Sequence, residues 1–220
     1  MNPVEISAQL RKPSGTNATA MGERMTRSNA NVIAACIELL QIAADDNVLE
    51  IGPGSGAHIS SVVSAADNVR YVGIDWSAAM VADARKNNQS LIEQGVVTCC
   101  EGNAIATQFN ASYFDKVFSV NTIYFWENPQ QQLGEISRIL RPDGIFCLAF
   151  GDRGFMQALP FTKNFTLYSE SEATGLLESC GFTVLQRRQH TEVGQSNANE
   201  QVSKRFHLMR CGRVQNGVTL

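Results

Sequence analysis

A glycine-rich turn that directly follows a short buried strand constrains the fold of this 220-residue chain more than any other feature. The apolar run VLEI (48–51) is followed at once by Gly-Pro-Gly-Ser-Gly (52–56). Glycine has no Cβ, so the backbone of such a turn can approach a ligand closely. In open α/β sheets, ligands bind in the crevice beyond the carboxyl ends of the strands. The turn therefore predicts an α/β fold with a ligand site at this point.

Apolar runs and amphipathic segments alternate along the rest of the chain. The predicted strands are residues 48–51, 70–75, 96–102, 114–121, 145–150, 182–188 and 203–211. The predicted helices are residues 31–44, 58–66, 76–95, 128–140 and 169–180. This alternation predicts parallel β-α-β units with right-handed crossovers. The last two strands have no helix between them and predict an antiparallel pair.

Two short motifs predict where elements begin and end. Arg141-Pro142-Asp143-Gly144 has the residues of a tight turn, because proline fixes φ and glycine permits a left-handed exit. Ser169 followed three residues later by Glu172 predicts a capping box at the start of the last helix.

The two ends of the chain lack the periodic patterns. Residues 1–20 are expected to form a flexible arm, residues 21–211 a single domain and residues 212–220 a loose tail. The N-terminus has no apolar signal core, and no apolar run approaches the roughly 20 residues of a membrane helix. We therefore expect no membrane insertion.

Charge and cysteine content narrow the class of protein. A formal net charge of -3, with no block of Lys or Arg, argues against strong non-specific binding to nucleic acid. The six cysteines and three histidines do not have the spacing of a zinc site, so no metal is expected. Cysteines of this kind are typical of reduced, cytoplasmic proteins.

Polar residues flank the glycine turn and follow the next two strands. Glu50 stands two residues before the first glycine and suits a ligand with an ammonium or sulfonium charge better than a pyrophosphate. Asp75 ends the second strand, where a carboxylate accepts both hydroxyls of a ribose, although it could instead cap the next helix. Asn103 follows the third strand and can read an adenine edge, or it can be a simple turn residue.

The motifs VLEIGPGSG, VGID, EGNA, FDKVFSVNTIYFW and LRPDGIFCLAF occur in this order along residues 30–210. In this the chain resembles the class I S-adenosylmethionine-dependent methyltransferases, and within them the small-molecule branch of ubiquinone/menaquinone-biosynthesis-like enzymes. The resemblance implies a Rossmann-like three-layer α/β sandwich with a seven-stranded, mostly parallel sheet. The implied strand order is 3-2-1-4-5-7-6 with an antiparallel last strand, and the implied cofactor is S-adenosyl-L-methionine, which leaves as S-adenosyl-L-homocysteine.

The resemblance also assigns cofactor contacts to particular positions. The glycines would line the methionine part, Glu50 would reach the amino group through water, and Trp76 and Met80 would pack near the adenine. The full implied cofactor set is Glu50, Gly52, Pro53, Gly54, Gly56, Asp75, Trp76, Met80, Gly102, Asn103, Ala104 and Asn121.

The acceptor is expected at the end of the fourth strand, in Asn121-Thr122-Ile123-Tyr124. Amino-methyltransferases that act on DNA or protein glutamine carry an Asn/Asp-Pro-Pro-Tyr motif there, and this chain lacks both prolines. The residues expected to line the acceptor pocket are Met25, Tyr124, Trp126 and Phe155. Residues 21–29 and 151–160 are expected to cover the site, unless they are ordinary surface connections.

The motifs assign no catalytic base. Tyr124, Asp152 and His58 are the candidates, and His58 is expected to serve packing or helix capping instead. Three alternatives to a small-molecule methyltransferase stay open: a nicotinamide-dependent oxidoreductase, a non-catalytic S-adenosylmethionine-binding protein and a methyltransferase of macromolecules. The glycine spacing disfavours the first, because Ala57 stands where a nicotinamide-binding turn has its third glycine.

Overall fold

A computed structural model describes residues 1–198 and 200–214, and its centre is one seven-stranded sheet. The strands are β1 (Asn47–Ile51), β2 (Arg70–Asp75), β3 (Val97–Glu101), β4 (Phe114–Val120), β5 (Leu140–Gly151), β6 (Phe182–Gln195) and β7 (Gln201–Arg213). Their order across the sheet is β3-β2-β1-β4-β5-β7-β6. The pairs among β1 to β5 are parallel, and β7 is antiparallel to both β5 and β6. The predicted fold class and strand order are confirmed.

Helices cover both faces of the sheet. They are α1 (Pro3–Arg11), α2 (Ala18–Leu40), α3 (Ile59–Val63), α4 (Ala78–Asn87), α5 (Gln89–Glu93), α6 (Pro129–Ile139), α7 (Arg153–Met156) and α8 (Glu170–Ser179), with single 3-10 turns at Gly15–Asn17 and Ile123–Phe125. One hydrophobic cluster joins the sheet to the body of α2 and to α3 and α4, and the other joins it to α6 and α8. Of the described helices, none combines the length and the apolar character needed to cross a membrane.

The apolar run in β5 shows why the two clusters form. Successive side chains of a strand point to opposite faces, so an unbroken apolar run fits only a strand that is covered on both sides. Phe146, Leu148 and Phe150 join one cluster, whereas Cys147 and Ala149 join the other. The apolar run therefore places β5 in the middle layer of a three-layer sandwich.

The prediction of a flexible arm over residues 1–20 is wrong about its structure, because the segment contains α1 and the start of α2. Asn2 accepts a hydrogen bond from the Glu5 backbone N–H and Glu5 accepts one from that of Asn2, which closes a capping box. Pro3 stands at the first position of the helix, and Ile6 is buried in the core. The missed signal was this capping box.

Other boundaries also differ from the predictions. The first predicted helix (31–44) is α2, which begins earlier, at Ala18. The predicted helix 76–95 is broken into α4 and α5 at Asn88, whose side chain donates to the carbonyls of Gly56 and Ala84. Residues 141–144 lie within β5 as an irregularity, between the pairs Phe114↔Leu140 and Lys116↔Ile145.

The C-terminal strands are longer than predicted. Gly212 and Arg213 belong to β7, so the expected loose tail does not begin at residue 212. The Val214 N–H also donates to the carbonyl of Gly181. Residues 215–220 lie outside the described part of the chain. The capping box at Ser169 and Glu172 and the antiparallel closing pair are confirmed.

Candidate cofactor and acceptor site

Two adjoining cavities lie beyond the carboxyl ends of β1, β2 and β4. Among the predicted site residues, the first cavity is lined by Met25, Glu50, Gly52, Pro53, Gly54, Asp75, Trp76, Met80, Gly102, Asn103, Ala104, Asn121 and Trp126. The second is lined by Met25, Asn121, Tyr124 and Phe155. Met25 and Asn121 border both cavities, so the structure brings together every predicted site residue except Gly56.

The glycine turn forms the floor of the first cavity. Gly52 and Gly54 have φ of 78° and 59°, in the left-handed region that favours glycine. A Cβ at Gly52 would lie 2.6 Å from Cγ2 of Thr122, so only glycine lets these segments approach this closely. Gly56 does not line the cavity, because it packs behind the turn, where a Cβ would lie 2.7 Å from Cδ1 of Ile59.

Asp75 is held at the edge of the first cavity by two backbone amides. Its Oδ2 accepts from the Gly54 N–H at 3.1 Å, and its Oδ1 accepts from the Ser77 N–H at 2.9 Å. Burial raises the pKa of Asp75 to about 6, although both hydrogen bonds oppose the shift. The N-cap of α4 is Ser77, so Asp75 is not the cap of that helix.

Glu50 is buried beneath the first cavity in a cluster with His58 and Tyr71. The His58 Nε2 lies 2.8 Å from Oε2 of Glu50, and the Tyr71 hydroxyl donates to the same oxygen at 2.6 Å. Burial lowers the pKa of His58, but the nearby Glu50 carboxylate outweighs burial and gives a net rise. His58 was expected to serve packing or helix capping. It stands at the N-cap position of α3, but its side chain makes no capping bond to that helix and pairs with Glu50 instead.

The predicted adenine end of the first cavity is formed by residues that follow β2 and β3. The Trp76 ring lines the cavity, and its Nε1–H donates to the carbonyl of Arg11 at 2.8 Å. Met80 is fully buried against Gly22. Oδ1 of Asn103 accepts from the Ile105 N–H, which leaves the amide nitrogen of Asn103 available to a ligand.

The N-terminal helices form a roof that the sequence reasoning located only in part. Residues 21–29 were expected to cover the site, and they lie in α2, from which Gly22, Met25, Thr26 and Asn29 line the first cavity. Arg11 and Pro13 were not predicted, and both also line it. The Ser77 hydroxyl donates to the carbonyl of Pro13 at 2.6 Å, and this bond ties the segment after α1 to the start of α4.

The second cavity has mostly aromatic and aliphatic walls. Its phenylalanines are Phe125, Phe155, Phe161, Phe165 and Phe206. Tyr124 stacks on Phe165 with ring centroids 5.8 Å apart. Sequence reasoning found Tyr124 and Phe155 but missed Phe161, Phe165 and Phe206, which lie far apart in the chain. The predicted loop 151–160 begins with the short helix α7 and contributes part of this wall.

Two of the candidate bases are poorly suited to accept a proton from a ligand. Burial raises the pKa of Tyr124, whose hydroxyl donates to Oδ1 of Asn121 and accepts from the Gly151 N–H. Burial favours the neutral form of Asp152, but hydrogen bonds from His207 and the α7 backbone outweigh it and lower its pKa. Asp152 lines neither cavity.

Comparisons with known proteins agree with this arrangement. Residues 49–148 match a family described as a methyltransferase domain. YdaC, an uncharacterized methyltransferase of Bacillus subtilis (strain 168), is 28% identical over 144 residues, which are 66% of this chain and 77% of that protein. The chloroplastic 2-methyl-6-phytyl-1,4-hydroquinone methyltransferase 1 of Oryza sativa subsp. japonica is 28% identical over 101 residues, or 46% of this chain. The match spans only 29% of that rice enzyme.

A solved structure extends the similarity over nearly the whole chain. It is geranyl diphosphate C-methyltransferase from Streptomyces coelicolor A3(2), in complex with Mg2+, geranyl diphosphate and S-adenosyl-L-homocysteine. The TM-score is 0.71 at 13% sequence identity, and the similarity covers 94% of this chain and 88% of that one. At this identity the similarity supports the fold.

Proposed function

Because this chain belongs to the class I S-adenosylmethionine-dependent methyltransferases, we propose that it methylates a small molecule held in the second cavity. S-adenosylmethionine would occupy the first cavity. The proposal rests chiefly on one observation: the glycine turn and the Asp75 carboxylate lie side by side in the lining of that cavity, joined by the hydrogen bond from the Gly54 N–H.

The first cavity fits a nucleoside amino acid in shape and chemistry. The backbone of Gly52 and Gly54 would face the methionine part, and the Asp75 carboxylate would accept the ribose hydroxyls. The Trp76 ring and the amide of Asn103 would face the adenine. Glu50 would act at a distance, because its carboxylate already binds His58 and Tyr71.

Orientation and exclusion of water would be the main contributions of the chain to the reaction. The sulfonium of the cofactor supplies a methyl carbon that is already activated. Holding two reactants in line is worth roughly 7–11 kcal/mol. Met25 and Asn121 border both cavities, which supports methyl transfer across this boundary.

The lining of the second cavity supports an acceptor that reacts without a carboxylate or histidine base. Among the described residues that line this cavity there is no Asp, Glu or His. Tyr124, the one phenol in it, has a raised pKa and a hydroxyl that is already bound to Asn121.

Small-molecule acceptors are also named for the similar proteins, a phytyl hydroquinone for the rice enzyme and geranyl diphosphate for the Streptomyces enzyme. The second cavity, beside the first, supports an enzyme over a non-catalytic binding protein. The nicotinamide alternative has no support in these comparisons. The net charge of -3 and the six unpaired cysteines support a cytoplasmic protein that does not act on nucleic acid.

Replacement of Asp75 tests the proposal directly. The change Asp75→Ala removes a charged hydrogen-bond partner worth about 1.5–3 kcal/mol, so we expect S-adenosylhomocysteine to bind roughly ten- to a hundred-fold more weakly. Titration calorimetry measures the affinity, and circular dichroism checks that the variant is folded. Asp143→Ala is the matched control, because Asp143 is exposed and lies in neither cavity. Equal affinity of parent and Asp75→Ala would show that the ribose assignment is wrong.

A further inference from the structure

A chain of hydrogen bonds runs from the end of β5 to helix α2, and its direction is set by a backbone amide. The Gly151 N–H can only donate, and it donates to the hydroxyl oxygen of Tyr124. The Tyr124 O–H therefore donates onward, to Oδ1 of Asn121 at 2.8 Å. Asn121 in turn donates from Nδ2 to Oδ1 of Asn29 at 3.2 Å. The direction of each bond thus follows from the one before it.

The last member of this chain, Asn29, takes part in it only through its carbonyl oxygen. That oxygen accepts from Asn121, and the two N–H hydrogens of Asn29 donate to no member of the chain. Within the described part of the protein, the Nδ2 of Asn29 has no hydrogen-bond acceptor. Asn29 also lines both cavities and therefore lies at their boundary. The hydrogen-bond chain thus presents an unpartnered amide donor where methyl transfer would take place.

Lys204 is the cationic side chain that lines the second cavity, and its ammonium group already has partners within the protein. Lys204 is almost fully buried, and its Nζ donates to the carbonyl of Ser28 at 2.6 Å and to the Ser28 hydroxyl at 3.1 Å. It also forms an ion pair with Glu192 at 3.2 Å. Three partners match the three hydrogens of an ammonium group. Lys204 therefore holds α2 against β7 and has no hydrogen left for a ligand. Among the other polar groups of this cavity, the amide of Asn29 offers a donor and the buried Oδ1 of Asn197 offers an acceptor without a partner in the described part of the chain.

The rest of the second cavity suits a flat apolar body. Its aromatic rings can pack on a ring by offset or edge-to-face contacts. No carboxylate among its described lining residues would bind an ammonium group or a divalent cation. The chemistry of this cavity therefore favours an aromatic acceptor with a hydrogen-bond-accepting oxygen.

We propose that Asn29 is an acceptor-binding residue, which donates a hydrogen bond to an oxygen of an aromatic acceptor. This hydrogen bond holds the oxygen of the acceptor, and the ring carbon that carries it, at the boundary of the two cavities. The inference rests on the proposed function, because it takes the first cavity as the cofactor site and the second as the acceptor site.

Two substitutions isolate the donor. Asn29→Asp keeps the size of the side chain and an oxygen for Asn121, but it replaces the N–H donors that face the boundary. Asn29→Ala removes the donors without adding a charge. Asn110→Asp is the control, because it makes the same charge change at an exposed residue that lines neither cavity.

The probes are 2-naphthol and naphthalene, which differ only by the oxygen, and their binding is measured by fluorescence in saturating S-adenosylhomocysteine. We expect Asn29→Ala to bind 2-naphthol about ten-fold more weakly than the parent or Asn110→Asp, because a neutral hydrogen bond is lost. A smaller loss is expected in Asn29→Asp, because its carboxylate can accept from the naphthol O–H. Naphthalene should bind all four proteins equally. Tighter binding of the cation benzyltrimethylammonium than of 2-naphthol to the parent would overturn the acceptor class.

Four further outcomes separate the inference from the proposed function. Equal 2-naphthol affinity in the parent and Asn29→Ala, or no binding of 2-naphthol to the parent, would overturn the inference while the cofactor site stands. A ten-fold loss of S-adenosylhomocysteine affinity in Asn29→Ala would also overturn it, because the donor would then serve the cofactor. Failure of the parent to bind S-adenosylhomocysteine would instead overturn the proposed function.

Discussion

At the scale of single residues, the environment of Asp75 opposes the role proposed for it. Its carboxylate is buried, which disfavours the charge, yet the proposed contact with ribose hydroxyls needs the charged form. The backbone amides of Gly54 and Ser77 already stabilise the charge in part, and the pKa is still raised to about 6. The protonation state of Asp75 therefore changes within a pH range that is easy to reach.

The affinity for S-adenosylhomocysteine should fall on the acid side of this pKa. At pH 7.5 the Asp75 carboxylate is ionised, whereas at pH 5 about nine tenths of it is protonated. The protonated Asp75 carboxyl must lose its proton before the ribose hydroxyls can donate to it as an ionised carboxylate. We therefore expect about ten-fold weaker binding at pH 5 than at pH 7.5. Calorimetry at the two pH values measures this ratio.

The control for the pH dependence is Asp75→Asn, which cannot titrate. His58, whose pKa is raised by the Glu50 carboxylate, is present in both proteins, so any difference between their pH profiles belongs to Asp75. A parent profile as flat as that of Asp75→Asn would show that the carboxylate does not receive the ribose in its ionised form.

At the scale of secondary-structure elements, α1 is the element over the site that the sequence patterns did not predict. Leu10 lines both cavities, and the carbonyl of Arg11 accepts from the Trp76 indole. Arg11 also pairs with Glu127, on the far rim of the first cavity. The end of α1 therefore lies over the first cavity, and we expect its contacts to slow the release of a bound ligand.

Removal of residues 1–14 should shorten the lifetime of the cofactor complex. We expect S-adenosylhomocysteine to dissociate at least ten-fold faster from the truncated protein. The truncation removes two hydrogen bonds, from Trp76 to Arg11 and from Ser77 to Pro13, each worth about 1 kcal/mol, and it also removes apolar contacts over the cavity. Stopped-flow fluorescence measures the dissociation rate. Val4→Ala, within α1, is the control and should change it little, because Val4 is exposed and lines neither cavity. An unchanged rate in the truncated protein would rule out a roof.

The elements that sequence patterns predicted well are those whose own residues carry the signal. Each inner strand of the sheet is an apolar run, and the glycine turn is visible because its backbone needs glycine. In α1 only Ile6 is buried, so the helix shows almost no apolar periodicity and only its capping box marks it. Its position over the site depends on contacts with Trp76 and Ser77, which no local pattern contains.

The second cavity was hard to predict for the same reason. Its walls come from α2, the turn after β4, the segment after β5 and β7, which meet only in the folded chain. Tyr124 and Phe155 could be found because they lie in the segments that follow the predicted strands 114–121 and 145–150. Phe206 could not, because it lies within a strand where an aromatic residue is equally typical of the core. The role proposed for Asn29 depends on hydrogen bonds to a residue 92 positions away.

At the scale of the whole molecule, the first cavity joins distant parts of one folding unit. Its lining comes from α1, α2 and the ends of β1, β2, β3 and β4, so it exists only when these elements are packed together. A ligand that binds this cavity therefore binds the folded state alone. Binding of that kind raises the free energy of unfolding by an amount set by ligand concentration.

Thermal unfolding of the parent protein should thus discriminate between cofactors. At S-adenosylhomocysteine concentrations of about 100 times Kd, the free energy of unfolding should rise by about 2.7 kcal/mol. For a chain of this size that corresponds to a Tm increase of roughly 5–11 °C. NAD at the same concentration should leave Tm unchanged, because the glycine turn lacks the spacing that receives a pyrophosphate. Calorimetric scans measure both shifts, and an NAD shift equal to that of S-adenosylhomocysteine would contradict the cofactor assignment at the level of the whole fold.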